Sequence, residues 1–183
     1  MVAIAISACL LGEPCRWDGQ AKPSSLALSF IQAPEVSVIP FCPEVLGGLS
    51  TPRDPSELVR SDMSVCAMTR AGAHVTDAFR MGAKQALAQL KANNVVLVIA
   101  KEGSPSCGSS RIYDGSFTGQ MIEGEGMSTQ LFRQNGMVVV SEERIMDLFS
   151  EYCAKHADEC SDVACGWDAE DFALWVQKNA TIN

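Results

Sequence analysis

Val95–Ala100 reads VVLVIA and leads into Gly103–Gly108, which reads GSPSCG. The first stretch is apolar on both faces, which is typical of a buried parallel strand. The second stretch sets Cys107 among small and turn-forming residues, none of which is bulky enough to fill a core. A buried strand that ends in a cysteine-bearing loop is therefore the unit on which the predicted fold and site are built.

The same unit occurs twice earlier in the chain. Val2–Ile6 (VAIAI) precedes a loop that carries Cys9 and Cys15, and Val36–Phe41 (VSVIPF) runs directly into Cys42. Shorter strands are predicted over residues 63–68 and 137–140. Helical periodicity predicts helices over residues 24–31, 127–134, 141–155 and 168–178, and a longer one that begins at Thr76 as its cap and ends at Asn93.

Apolar strands that alternate with helices indicate an α/β, Rossmann-like three-layer fold with a mainly parallel sheet. We expect residues 1–150 to form this domain and residues 151–183 to add a helical C-terminal extension packed on it. In such sheets, ligands bind beyond the carboxyl ends of the strands. Cys9, Cys42 and Cys107 each follow a strand end, so we expect them to converge on one edge of the sheet.

Composition narrows the class of protein. No apolar run approaches the ~18 residues that a membrane helix needs, and the start of the chain lacks a secretory signal. In a protein of the cytoplasm, eight cysteines favour metal binding or catalysis over disulfides. The formal net charge of −8 argues against broad electrostatic binding of nucleic acid. We therefore expect a cytoplasmic protein with no membrane or DNA partner.

The charge is unevenly distributed along the chain. Residues 141–171 contain ten acidic side chains and only two basic ones, Arg144 and Lys155. The loops around the cysteines carry five cations: Arg16, Lys22, Arg53, Lys101 and Arg111. A positive mouth on an acidic body is one interpretation, and ordinary solvated charge is the other.

Three thiolates at one site will hold a soft metal. Zinc would need a fourth ligand to close a structural site. An iron–sulfur cube held by only three cysteines keeps one open iron, which is a Lewis acid. Cys15 could instead serve as the fourth ligand and close the site, and the cysteine spacing alone does not decide between these arrangements.

Several polar residues lie beside these cysteines. Glu44 follows Cys42 by two positions and could act as a general acid or base near a metal. Ser104 and Ser106 flank Pro105 and could hydrogen-bond a substrate oxygen or a water, although turn-forming serine is the alternative. Further candidates in the same loop are Tyr113 and Asp114.

The other four cysteines are given no ligand role. Cys66 falls in a predicted strand, where a core position is expected. Cys153, Cys160 and Cys165 are spaced C-x6-C-x4-C in the acidic tail. A second metal site there is the less favoured interpretation, because no histidine or tight cysteine pair supports it.

Three motifs occur in order: SACLLG at 7–12 with RWDG at 16–19, CPEVLGG at 42–48 with TPR at 51–53, and SPSCG at 104–108 with IYDGSF at 112–117. Together they resemble the thiouracil desulfidase family over about residues 3–142. The tail after about Ser150 lies outside this resemblance.

The resemblance implies a [4Fe-4S] cluster held by Cys9, Cys42 and Cys107, with one open iron that binds the sulfur of a thiocarbonyl. Water would then attack the ring carbon, with the acid/base role on Glu44 and a supporting role on Ser104. The sulfur would leave as sulfide.

The implied substrate is thiolated uracil: 2-thiouracil, 4-thiouracil or 4-thiouridine, taken as a small base, nucleoside or nucleotide, with tRNA as a further candidate. The loop cations, Arg16 and Arg53 among them, would suit a phosphate. Two rival functions remain open from the sequence. One is a non-catalytic four-cysteine iron–sulfur or zinc module with a redox or structural role, and the other is a small-molecule binding protein without chemistry.

Overall fold

A computed structural model gives the fold and describes residues 1–61, 64–156 and 168–180. The strands of the described residues are β1 (Val2–Ser7), β2 (Val36–Phe41), β3 (Ser56–Ser61), β4 (Ser64–Thr69), β5 (Val95–Ala100), β6 (Arg111–Tyr113), β7 (Met121–Glu123) and β8 (Val139–Ser141). Their helices are α1 (Ser25–Gln32), α2 (Pro43–Leu46), α3 (Thr76–Ala92), α4 (Met127–Gln134), α5 (Glu142–Lys155) and α6 (Ala169–Asn179).

The central sheet has four strands in the order β2-β1-β5-β8, and every neighbouring pair is parallel. After β2 the chain crosses back past β1 before it forms β5. The strand order therefore reverses between β1 and β5, and such a reversal leaves a crevice at the carboxyl ends of the two strands. Cys9 and Cys107 both follow strands that border this crevice.

Helices cover both faces of the sheet. On one face, Ile6 of β1 and Leu97 of β5 pack with side chains from α1, α5 and α6, among them Phe172. On the other face, Ala5 and Val98 pack against α3 and α4. The alternation of side chains along each strand creates these two cores. The predicted three-layer α/β fold with a helical extension is confirmed, while a domain boundary at residue 150 stays a prediction.

Most predicted helix starts agree with the structure, because the capping side chains are present. Ser24, Ser141 and Asp168 each accept a hydrogen bond from a backbone N–H in the first turn of α1, α5 and α6, respectively. Thr76 was predicted wrongly as a cap. It is the first residue of α3, and its hydroxyl oxygen instead accepts a hydrogen bond from the Ala67 N–H of β4 at 3.0 Å. In the described ranges, no helix is both long and apolar enough to cross a membrane.

The short helix α2, which follows Cys42, was not predicted from the sequence. It packs backbone to backbone against α3 at two glycines. A Cβ atom built on Gly82 would lie 1.8 Å from the Pro43 carbonyl oxygen, and one on Gly47 would lie 2.1 Å from the Ala78 carbonyl oxygen. Any side chain at either position would push α2, and with it Glu44, away from α3.

Two antiparallel hairpins, β3–β4 and β6–β7, form separate two-stranded sheets. The sequence predicted only the second strand of the first hairpin. The strands of the second hairpin have three residues each, and their one inward pair is Ile112 opposite Ile122. Strands this short show no alternating pattern that could be recognised, and neither was predicted from the sequence.

Candidate metal centre and active site

A cavity of about 460 Å³ lies beyond the carboxyl ends of the central strands. Four cysteines line it: Cys9, Cys15, Cys42 and Cys107. Cys9 follows β1 by two residues, Cys42 follows β2 directly, and Cys107 comes from the loop after β5. The structure thus brings the three predicted cysteines together and adds Cys15 to them.

Cys15 lies between two of the other thiols. Hydrogen bonding with the Cys42 thiol lowers the pKa of Cys15, but hydrogen bonding with Cys9 and burial raise it, and the result is a pKa of about 11. The same contact with Cys15, together with burial, raises the pKa of Cys42 well above its usual value. The Cys42 thiol also donates to the Cys15 carbonyl oxygen at 3.9 Å. Burial and the contacts among these thiols therefore favour the neutral form of Cys15 and Cys42.

Cys107 is buried, with 7 % of its surface exposed. Burial raises the pKa of Cys107, as do the nearby Cys42 and Glu44, while hydrogen bonds with Ser7 and Ser104 act in the opposite direction. Its loop is fixed on α4, since the Thr129 hydroxyl donates to the Cys107 carbonyl oxygen at 2.8 Å. The side chain of Cys107 thus has contacts with Ser7 and Ser104, and its backbone is held by Thr129.

The donor set fits an iron–sulfur cluster. Among the described residues, no three side chains of Cys, His, Asp or Glu lie close enough to hold one metal ion. A cube spreads its thiolates over separate irons, so its cysteines need not meet at one point. Soft thiolates with hydroxyl and N–H donors beside the sulfurs are the ligands and surroundings that such clusters use.

Glu44 lines the same cavity and is held on one side only. The Nε of Arg53 donates to Glu44 Oε2 at 2.9 Å, and the Nη2 of Arg53 lies 2.8 Å from the same oxygen. The part of the chain that the structure describes offers no hydrogen-bond partner to Glu44 Oε1. One carboxylate oxygen is therefore anchored, and the other remains available to a water or a substrate.

Arg53 is fully engaged within the protein. Besides its two contacts with Glu44, its Nη1 donates to the Cys15 and Ser50 carbonyl oxygens and to the Thr51 hydroxyl, at 3.1 to 3.2 Å. Its side chain is only 8 % exposed. Arg53 thus ties the Cys15 loop to the helix that carries Glu44, rather than extending free into the cavity.

Ser104 lines the cavity, whereas Ser106 does not. The Ser104 Oγ accepts hydrogen bonds from the Ser106 and Cys107 backbone N–H groups, both at 3.1 Å. A hydroxyl has two acceptor sites and one proton, so the hydroxyl of Ser104 can only donate to a further group. Ser106 is turned inward, where its hydroxyl bonds that of Ser128 at 2.9 Å.

The other residues predicted to bind substrate differ in whether they line the cavity and in whether they are already paired. Arg16 lines the cavity, but its guanidinium is paired with both carboxylate oxygens of Asp18, and this pairing raises the pKa of Arg16. Tyr113 also lines the cavity, with 37 % of its surface exposed. Asp114 does not line it and instead accepts hydrogen bonds from Ser116 in a turn.

Two cations at the mouth of the cavity were not predicted as site residues. Lys22 and Arg70 are exposed and line the cavity, and within the described residues neither side chain has a hydrogen-bond or ion-pair partner. Lys101 and Arg111, in contrast, are paired with Glu142 and Glu143. The positive mouth, one of the two interpretations of the sequence, is therefore limited to the cations that have no partner among the described residues, such as Lys22 and Arg70. Trp17, 45 % exposed, provides an aromatic surface beside them.

The sequence reasoning also missed Glu102, a buried carboxylate that organises the Cys107 loop. Its Oε1 accepts hydrogen bonds from four backbone N–H groups at 2.8 to 3.3 Å, and its Oε2 accepts from two serine hydroxyls. Burial alone would raise the pKa of Glu102, but these donors outweigh it, so the pKa lies below its usual value. An acidic residue two positions after a strand and directly before a glycine was the one available signal.

Replacing Glu102 with glutamine should lower the free energy of unfolding by about 1–3 kcal/mol at pH 7, because the buried donors lose a charged acceptor. Because the pKa of Glu102 is depressed in the folded protein, its contribution is present above the unfolded pKa of about 4.3 and is lost at lower pH. The difference in the free energy of unfolding between the two proteins, measured with urea, should therefore become smaller below about pH 4. The exposed Glu123→Gln is the control, and an equal loss at all pH values would contradict this role.

Cys66 and Cys153 do not line the cavity. Cys66 was expected in the core, but it is only partly buried in β4. Cys153 is partly buried on α5 against the core. Cys160 and Cys165 lie outside the described residues, so the suggestion of a second metal site there is not tested.

Comparison with known proteins shows the family to which the chain belongs. The chain is similar to a solved structure of TudS, a [4Fe-4S]-dependent thiouracil desulfidase, with a TM-score of 0.73 and 41 % identity over 84 % of this chain and 99 % of that one. It is also 38 % identical to YbbK, an uncharacterised protein of Bacillus subtilis (strain 168), over 79 % of this chain and 99 % of YbbK. The family model of 2-thiouracil desulfurase matches residues 4–144. The resemblance that the three motifs predicted is confirmed, and the chain belongs to the 2-thiouracil desulfurase family of enzymes.

Proposed function

We propose that the protein removes sulfur from a small thiolated uracil and releases uracil or uridine and sulfide, with a [4Fe-4S] cluster held by Cys9, Cys42 and Cys107. The observation that carries this proposal is the cavity in which these cysteines meet a carboxylate with one free oxygen, that of Glu44. The [4Fe-4S] dependence of TudS supports the choice of cofactor. The reaction is a hydrolysis, in which C=S and water give C=O and hydrogen sulfide without net oxidation or reduction.

When bound through three cysteines, the cluster would supply an open iron as a Lewis acid for the thiocarbonyl sulfur. Glu44 is the general base in this scheme. Its Oε2 is fixed by Arg53, so its Oε1 can accept a proton from the water that attacks the ring carbon. We assign Arg53 the role of a positioning residue, since its donors are occupied within the protein.

Ser104 is a donor in the same scheme. Because its acceptor sites are filled by two backbone N–H groups, its hydroxyl can only donate, either to the Cys107 sulfur or to a substrate atom that carries negative charge, and it cannot act as a base. In this scheme Glu44 accepts a proton, and Ser104 donates a hydrogen bond.

The free cations Lys22 and Arg70 favour a nucleotide over the bare base, since a phosphate would give both a partner. The Trp17 ring at the same mouth offers a stacking surface for a pyrimidine. A net charge of −8 disfavours a long RNA, so we place tRNA below 4-thiouridine and its monophosphate among the substrates.

Replacing Arg70 with alanine should raise KM for 4-thiouridine monophosphate by on the order of tenfold and leave KM for 4-thiouracil unchanged, because only the nucleotide carries the phosphate. Steady-state kinetics on both substrates measure this. Lys84→Ala, which removes an exposed charge on α3, is the matched control. Equal changes on both substrates would show that Arg70 does not read a phosphate.

The function as a whole is tested by anaerobic reconstitution with iron and sulfide, followed by 2-thiouracil, 4-thiouracil, 4-thiouridine, its monophosphate and thiolated tRNA. The proposal expects loss of the thiocarbonyl absorbance on at least one small substrate, and only with the reconstituted protein. Activity on thiolated tRNA alone would show that tRNA, and not a small molecule, is the substrate. A stable cluster with no turnover on any substrate would favour the redox or structural module.

A further inference from the structure

Glu57 is a buried carboxylate on β3 that the proposed reaction does not use. It is 7 % exposed and lines the same cavity as the cysteines. Its Oε2 accepts hydrogen bonds from the backbone N–H groups of Gly115 and Phe117, at 2.9 and 3.0 Å. Two donors from the loop after β6 therefore fix one oxygen of this carboxylate.

The other oxygen of Glu57 is free. Among the described residues, none donates a hydrogen bond to Oε1 or forms an ion pair with it. Within the same ranges, every side-chain nitrogen or oxygen atom that is shielded from solvent has a hydrogen-bond partner. Oε1 has none, so solvent reaches it, and the place of Glu57 in the cavity lining directs this oxygen into the cavity.

The hairpin β3–β4 places Glu57 near one of the free cations. Glu57 is paired with Met68, and Arg70 lies two residues further along on the same face, where its backbone N–H donates to the Pro55 carbonyl oxygen. Arg70 is exposed whereas Glu57 is buried, and the two side chains form no ion pair. If Arg70 holds the phosphate of a nucleotide at the mouth, Glu57 faces a deeper part of the same molecule.

The chemistry of a carboxylate limits what this deeper part can be. An ionised carboxylate only accepts hydrogen bonds, and it repels a phosphate. Its partner is therefore a neutral N–H or O–H group. Every thiolated uracil carries such a donor at ring nitrogen N3, both as the free base and as the nucleoside, in which N1 is bonded to the sugar.

We propose that Oε1 of Glu57 accepts a hydrogen bond from the N3–H group of the thiolated uracil and selects this ring over related pyrimidines. The inference deepens the proposed function and rests on it. A thiocytosine ring has a lone pair at N3 in place of the hydrogen, so it would leave the buried carboxylate without a donor and bind weakly. Glu57 is thus assigned to recognition, while Glu44 remains the general base.

The test uses Glu57→Gln, which changes the free acceptor into a donor. The two loop N–H groups require an acceptor, so the glutamine oxygen takes the place of Oε2 and its NH2 group faces the cavity. The loop thereby keeps both of its hydrogen bonds. Glu123→Gln, on an exposed carboxylate of β7, is the matched control.

Each protein is reconstituted without air and assayed on two methylated bases. The first, 1-methyl-4-thiouracil, keeps the N3–H group, and the second, 3-methyl-4-thiouracil, lacks it. The unaltered protein and Glu123→Gln should show a KM on the order of tenfold higher for the second base. Glu57→Gln should raise KM for the first base on the order of tenfold and remove this difference, with a smaller change in kcat.

Two results would overturn the inference. If the preference for 1-methyl-4-thiouracil is as large in Glu57→Gln as in the unaltered protein, the second methyl group is excluded by its size and not by a lost hydrogen bond. If Glu57→Gln impairs 4-thiouridine but neither methylated base, Glu57 binds a ribose hydroxyl.

Binding of the sulfur-free 1-methyluracil and 3-methyluracil, measured by calorimetry, repeats the comparison without any reaction. Equal affinity of the unaltered protein for these two ligands would also overturn the inference, and this result depends on no variant. Tighter binding of 1-methyluracil that is lost in Glu57→Gln supports it. If that pattern is found but the unaltered protein desulfurates no substrate, the proposed function is refuted and the assignment of Glu57 stands.

Discussion

Replacing Glu44 with glutamine is expected to reduce turnover of thiouracil by about 10²- to 10⁴-fold while the protein keeps its cluster. Glutamine preserves the size of the side chain and its contact with Arg53, but it cannot accept a proton from water. Because Glu44 is not a proposed ligand, iron content and the cluster spectrum should not change. The measurement is kcat under anaerobic conditions, with iron determined on the same sample.

Asp77→Asn serves as the matched control, since Asp77 is fully exposed at the start of α3. Arg53→Lys adds a second comparison, because lysine keeps the charge but cannot hold Oε2 through two nitrogens. It should lower kcat less than Glu44→Gln does. Full activity of Glu44→Gln would remove Glu44 from the mechanism and require another base.

Replacing Cys9, Cys42 or Cys107 with alanine is expected to abolish cluster binding and, with it, all turnover. Each variant removes one of the three proposed ligands, and the remaining thiols cannot hold a [4Fe-4S] cluster without it. Iron and sulfide analysis after reconstitution, together with visible absorbance, measures the loss. Cys66→Ala, away from the cavity in β4, should bind as much iron as the unaltered protein.

Cys15 distinguishes the open-iron enzyme from a closed four-cysteine site. Under the proposed function, Cys15→Ser keeps its iron and turns over substrate, because three ligands remain. If Cys15→Ser loses iron as completely as Cys107→Ala, all four cysteines are ligands and no iron is open to substrate. The structure makes this test necessary, since Cys15 contacts both Cys9 and Cys42.

The sequence was sufficient to predict the sheet and the meeting of the cysteines. Runs such as Val95–Ala100 are apolar on both faces, and the carboxyl ends of parallel strands share one edge of the sheet. Of the first hairpin only β4 was predicted. The second hairpin and α2 were not predicted, because strands of three residues and a one-turn helix have no periodic signal. Thr76 was mistaken for a cap because a hydroxyl before a helix can bond either the helix or a neighbouring strand, and here β4 lies within reach.

The sequence predicted which residues form the site, but not all of the contacts that they make within the protein. The cysteines and Glu44 stood out from their motifs, whereas the engagement of Arg53 and the burial of Ser106 depend on tertiary contacts. Glu102 was missed for the same reason, since its six donors come from the loop that it organises. Lys22 and Arg70 became notable only once the structure showed which cations were paired.

The most direct test of the account is a single anaerobic measurement on the reconstituted protein in isotopically labelled water. The account predicts that each thiouracil consumed yields one uracil that carries oxygen from water and one sulfide, with no added reductant or oxidant. A requirement for an electron donor, or labelled uracil formed equally well by protein without its cluster, would contradict it.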